Sequence, residues 1–123
     1  MADITKQALV PNGAKALTFG NGAATQDIVG GVDERTLLIV KNTDEETCRV
    51  WVRKGDGIRA TKDFYVDVAQ NGYAVIGPLE SSIYKDVSTG KIKVDITDNN
   101  SATTPSAFPG TITNVKVAVV YVP

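Results

Sequence analysis

Residues 36–55, TLLIVKNTDEETCRVWVRKG, carry the pattern that decides the fold. Residues 36–42 are a continuous apolar run of strand length, which predicts a central strand covered on both faces. Residues 47–55 alternate. Cys48, Val50 and Val52 share one face, and Arg49, Trp51 and Arg53 share the other, as the two-residue period of a strand requires. The link between the two runs, residues 43–46 (TDEE), is short and polar, so a hairpin is expected.

The same period continues outward. In residues 63–69 (DFYVDVA), Phe64, Val66 and Val68 are expected to face inward, and residues 72–78 (GYAVIGP) follow through Asn71-Gly72 as a second hairpin. Residues 90–97 put Ile92, Val94 and Ile96 inside, with Lys91, Lys93 and Asp95 in water. Residues 113–122 put Val115, Val117, Val119 and Tyr121 on one face; the other passes from Lys116 to Ala118, Val120 and Val122 and is expected to be covered at its end. No stretch holds the 3.6-residue period of an amphipathic helix. Residues 19–31 and 99–110, rich in Gly or in hydroxyl residues and Pro, read as long loops.

Seven or eight short strands at this spacing predict an all-β chain, an antiparallel two-sheet β-sandwich of jelly-roll kind. Residues 16–123 form the sandwich domain. Residues 1–15 are an N-terminal arm or strand, in which Ala8, Leu9 and Val10 make one strand-like piece cut off by Pro11 and Asn12-Gly13. This segment is expected to lie away from the core or to cross to a neighbour, with Leu9 and Val10 as candidate protein contacts.

Composition narrows the function classes. The 123 residues hold 14 acids against 13 bases. That balance lacks the clustered Lys and Arg that displace counterions from nucleic acid or anionic lipid, so neither partner is expected. The longest apolar run, residues 117–122, is too short to span a bilayer, and residues 1–13 carry no secretory pattern. With no histidine, the usual general base near neutrality and the commonest metal ligand are missing. Cys48 stands alone in an apolar alternation and reads as a small core residue. Serines and threonines have no histidine to activate them, and the Gly-containing stretches lack a strand–loop–helix setting for phosphate. An enzyme is not expected, nor a cofactor or a metal. The oxygen-rich DITDNN (residues 95–100) lacks calcium-loop spacing and reads as a strand end.

Arg49, Trp51 and Arg53 are the other candidate contact residues, because Trp and Arg are the types that dominate interface energetics. Their sequence admits a second environment, in which Trp51 is covered and the arginine stems lie over apolar surface. A sugar platform built on Trp51 is a third.

The order of segments is itself distinctive: ITKQALVPNG, TLLIVKN, RVWVRKG, then DFYVDVAQNGYAVIGPLESSIYKDVSTGKIKVDI, and VKVAVVYV. This layout resembles small head proteins, the capsid decoration or auxiliary proteins, of tailed bacteriophages and prophages, over most of the chain except residues 99–110. The resemblance implies a non-enzymatic virion structural protein, assembled in the bacterial cytoplasm, that binds the outer surface of a shell of major capsid protein and stabilises it. A homo-oligomer is implied too, with a trimer as one form. It further implies that GPLESSIYKD (residues 77–86) leads one strand to the next, with Ile83 and Tyr84 folding back over the core edge. The alternative from a different class is a ligand-binding β-sandwich, a carbohydrate or host-surface module associated with a fibre.

Overall fold

The computed structural model describes residues 2–29, 35–58, 60, 62–79, 81–86, 88–99 and 106–122. Its strands are β1 (Ala2–Ala8), β2 (Gly20–Asn21), β3 (Thr25–Val29), β4 (Thr36–Asn42), β5 (Cys48–Val52), β6 (Phe64–Val68), β7 (Tyr73–Ile76), β8 (Ile92–Thr97) and β9 (Val115–Tyr121). One helical turn, α1 (Ser81–Tyr84), lies between β7 and β8.

β4 has a backbone partner on each side. It runs antiparallel to β9 from Thr36 opposite Tyr121 to Asn42 opposite Val115, and antiparallel to β7 from Leu38 opposite Ile76 to Lys41 opposite Tyr73. Thr36, Leu38, Val40 and Asn42 are buried, while Leu37, Ile39 and Lys41 are half-buried. The run is therefore central, as its composition predicts, but only one face is sealed.

The chain is all-β, and its pairing is mixed where a purely antiparallel one was expected. The strands follow one hydrogen-bonded path, β6-β5-β8-β3-β1-β9-β4-β7, with β2 beside β9. The cause is β1. Its first half, Ala2 to Thr5, lies parallel to β3; its second half, Lys6 to Ala8, lies parallel to β9. One strand thus joins two antiparallel stretches into a mixed, nearly closed, barrel-like sheet of nine strands. Residues 2–8 are an inner strand of this sheet and not a detached arm. Ile4 is buried in the core, and Leu9 extends the pairing by donating its N–H to the Tyr121 carbonyl at 2.9 Å.

Both expected hairpins are also corrected. β5 pairs with β6 and β8, never with β4, so residues 43–46 form an arch from one stretch of sheet to the other. Asn42 shapes it: its amide Nδ2 donates to the carbonyls of Glu46 (2.8 Å) and Val68 (2.9 Å). Asn71-Gly72 does make a tight turn, with Asn71 at φ 61°. Yet β6 and β7 are the two ends of the strand path and form no ladder with each other, so this turn spans the seam of the barrel.

The core is lined by alternate residues of every long strand, among them Ile28, Leu38, Val50, Val94, Ile96 and Val119. Each such side chain contributes roughly 1.5–3 kcal/mol on leaving water. Phe64, expected inside, is 45% exposed because it begins β6 at the rim.

Between β7 and β8 the described residues 77–79 and 81–86 run through the helical turn α1, with Ile83 half-buried. Gly77, at φ 126°, brings the chain so close to the Thr36 carbonyl that a Cβ there would lie 2.7 Å from it, which explains the glycine. Leu79 is buried, and Tyr84 packs on the core edge.

The registers sort the loops onto two ends. β1, β3, β5, β7 and β9 finish at one end, here the upper end, where β4, β6 and β8 begin. The upper end therefore carries the connections after β1, β3, β5 and β7. The lower end carries those after β2, β4, β6 and β8.

Candidate functional site

The outer face of β5 is where the sequence places Arg49, Trp51 and Arg53, and the structure puts all three there. Their neighbours decide what they do. Trp51 lies opposite Tyr65 of β6 on one side and Asp95 of β8 on the other. The Tyr65 ring stands 4.8 Å from the indole, centroid to centroid, and the Arg53 guanidinium lies 4.4 Å from the indole centroid. Arg49 covers Tyr65 at 4.0 Å. The indole N–H donates to Thr97 Oγ1 at 2.9 Å. Only 5% of Trp51 remains exposed.

Both arginines are engaged by carboxylates. Arg49 makes a two-pronged contact with Asp67, from Nε at 2.7 Å and Nη2 at 3.1 Å. That hydrogen bonding raises the guanidinium pKa further above its ordinary value. Arg53 holds Asp95 at 2.7 Å and Asp63 at 3.1 Å. The face is a packed, charge-compensated plate. The structure thus moves Trp51 from contact surface to packed layer, the second environment its sequence admits. A sugar platform on Trp51 is excluded by the same burial.

The plate also takes up the oxygen-rich strand end. Asp95 is committed to Arg53, and Asp98 accepts the Ser106 hydroxyl, so their carboxylates serve separate partners. Asn100 lies outside the described residues. Cys48 faces the core, fully buried, and desolvation pushes its thiol up to about 11.

The lower end is polar and tightly bonded. Asp44 is its hub. Its carboxylate accepts the Glu46 N–H (2.9 Å), the Thr111 N–H (3.0 Å) and Asn114 Nδ2 (3.1 Å), tying the arch after β4 to the segment before β9. Those hydrogen bonds, the one from Glu46 foremost, hold the Asp44 carboxyl below its ordinary range. The loops of this end carry Asp44, Glu45, Glu46 and Asp98, and no lysine or arginine.

The upper end has the opposite character. Leu9 is half-buried beside Tyr121, but Val10 is 51% exposed. Phe64 joins it at the start of β6, Val122 at 47% beyond β9, and Ile58, fully exposed, in the β5–β6 connection. Of the residues singled out in the sequence, this end brings in Leu9 and Val10 and leaves Arg49, Trp51 and Arg53 on the side of the sheet. Sequence reasoning passed over Ile58 and assigned Phe64 and Val122 to covered faces, which their positions at the strand ends leave exposed. The signal for Ile58 was present: an isoleucine in the turn-forming GDGIRATK, where no strand period gives it a core position.

No family model, no curated protein and no solved structure matches the chain.

Proposed function

We propose that the chain is a non-enzymatic structural module that docks by its upper end on a protein lattice, as a decoration protein docks on the outside of a bacteriophage head. The observation that carries this reading is that Val10, Ile58, Phe64 and Val122 are all exposed at the upper end of the sheet, opposite an end whose charged loop residues are all acids. Exposed apolar side chains grouped on one surface mark a contact. The segment order that resembles head decoration proteins supports the same reading, with the major capsid protein as partner and the virion surface as location. In this reading the two stretches of sheet joined through β1 are the layers of a jelly-roll-like sandwich, and the chain acts as a homo-oligomer. Multivalency on a repeating lattice then holds many weak contacts firmly without one tight site.

The test is co-sedimentation of the purified protein with empty shells of the major capsid protein from the same phage. Saturable binding that raises the temperature at which the shells disassemble is the expected result. Shells that neither bind the protein nor gain stability would refute the reading.

A further inference from the structure

We propose that the β5–β6 connection is the recognition element of the upper end, with Ile58 as a plug for an apolar pocket rimmed by carboxylates on the protein partner; this rests on the docking reading above.

The connection is built to hold its shape. The Gly57 carbonyl accepts the Ala60 N–H at 3.1 Å, closing a tight turn around Ile58. Below the turn, the Lys54 N–H donates to Asp63 Oδ1 at 2.8 Å and draws the two arms together. The Gly55 N–H donates to the Ile83 carbonyl at 2.8 Å. A Cβ on Gly55 would lie 2.2 Å from the Lys85 carbonyl oxygen, so only glycine lets the loop lie this close to the α1 segment. Ser88 donates to Asp56 at 2.9 Å and fixes the side of the loop. These bonds fix the base and one flank of the connection before any partner arrives, which lowers the entropy cost of binding through a small contact.

Ile58 makes no use of this support within the chain. A branched apolar side chain held fully exposed on a bonded turn gains nothing for folding and offers its whole surface to a partner. Charge gives the partner's chemistry. Lys54 and Lys62 flank the tip, with Asp56 the one acid between them, and Asp56 already accepts a hydrogen bond. Lys54 and Lys62 are exposed. A basic rim around an apolar tip fits carboxylates around an apolar pocket. A single isoleucine inserts too few methylenes to hold a chain on a bilayer, which selects a protein pocket over a lipid surface.

The experiment measures binding to empty shells of the major capsid protein for the unsubstituted chain, Ile58→Asp, Ile58→Leu, Lys54→Glu with Lys62→Glu, and Val75→Asp as a control on the exposed side of β7. Ile58→Asp is expected to weaken binding at least about tenfold, as loss of a buried hot-spot side chain does, with an unchanged melting temperature. Ile58→Leu is expected to bind nearly normally, and the double charge reversal to bind weakly and lose its salt dependence. If the unsubstituted chain binds shells and Ile58→Asp binds equally well, the plug is wrong while the docking reading stands. If the unsubstituted chain binds no shells, both fall. Binding to vesicles of phosphatidylserine and phosphatidylcholine that Ile58→Asp abolishes would assign the tip to lipid, and self-association abolished by the same change would assign it to a second copy. Either result overturns the protein-pocket proposal.

Discussion

Between Arg49 and Arg53, the Trp51 indole has exchanged water for two guanidinium groups, a tyrosine ring and a hydroxyl acceptor. A large aromatic packed in this way contributes to folding. Trp51→Ala is expected to cost about 3–5 kcal/mol of stability, the range for truncating a buried aromatic, and equilibrium urea unfolding measures it. A loss well under that range would mean that the plate is a loose surface cluster. Asp44 makes a second residue-scale prediction, through pH. Its folded carboxyl titrates below the ordinary value of 3.8 because it accepts hydrogen bonds as a carboxylate. A depressed folded pKa means that the unfolded chain binds the proton more readily. The Asp44 contribution is therefore complete above the ordinary value and disappears as pH falls through the lower, folded one. Unfolding midpoints followed from neutrality into acid should drop less steeply for Asp44→Asn than for the unsubstituted protein. Parallel acid limbs would show that Asp44 titrates alike in both states.

At the scale of elements, β1 governs the topology. It is the one strand that connects the β3 stretch to the β9 stretch, so its removal opens the sheet in the middle. Deletion of residues 2–8 should abolish cooperative unfolding by circular dichroism, and a truncated chain that still melts sharply would contradict the role assigned to β1. Six of the nine strands were legible from periodicity: β4, β5, β6, β7, β8 and β9 fall within the segments named from their alternation or apolar runs. β1 and β3 were not, for a common reason. β1 puts Lys6 in a buried position, and β3 buries both Gln26 and Asp27, so neither shows the apolar–polar alternation that identifies a strand. β2 is only two residues long. The partner of each strand was hidden as well. Short polar links at residues 43–46 and 69–72 satisfy hairpin chemistry, but backbone pairing is chosen by burial across the whole sheet. Parallel pairing of β1 needs partners distant in sequence, which no local pattern encodes. The Arg49, Trp51 and Arg53 face was legible as a face. Its burial was not, because it depends on Tyr65, Asp67 and Asp95 arriving from neighbouring strands.

Along the strand axis the upper end exposes Val10, Ile58, Phe64 and Val122 and the lower loops hold acids without bases, with Tyr73 at the start of β7 the exposed ring of the lower rim. That asymmetry fixes an orientation if the upper end docks: Val10 is covered in the assembly, and Glu45, exposed in the arch after β4, stays in water. Thiol chemistry reads this orientation without interference. Cys48 is fully buried, and its raised pKa leaves little of the reactive thiolate near neutrality, so the native chain presents a silent background to maleimide. A cysteine introduced by Val10→Cys or by Glu45→Cys is then the sole reporter in its variant. Both positions are exposed in the free chain, so both are expected to label fast. After the protein is bound to shells, Val10→Cys should be protected, while Glu45→Cys should label at its free rate. The opposite pattern would turn the molecule over and place the acidic end on the shell. Equal protection of both would mean that the chain lies on its side, with the outer faces of β4, β7 and β9 as the contact and the exposed Tyr73 and Val75 as its centre.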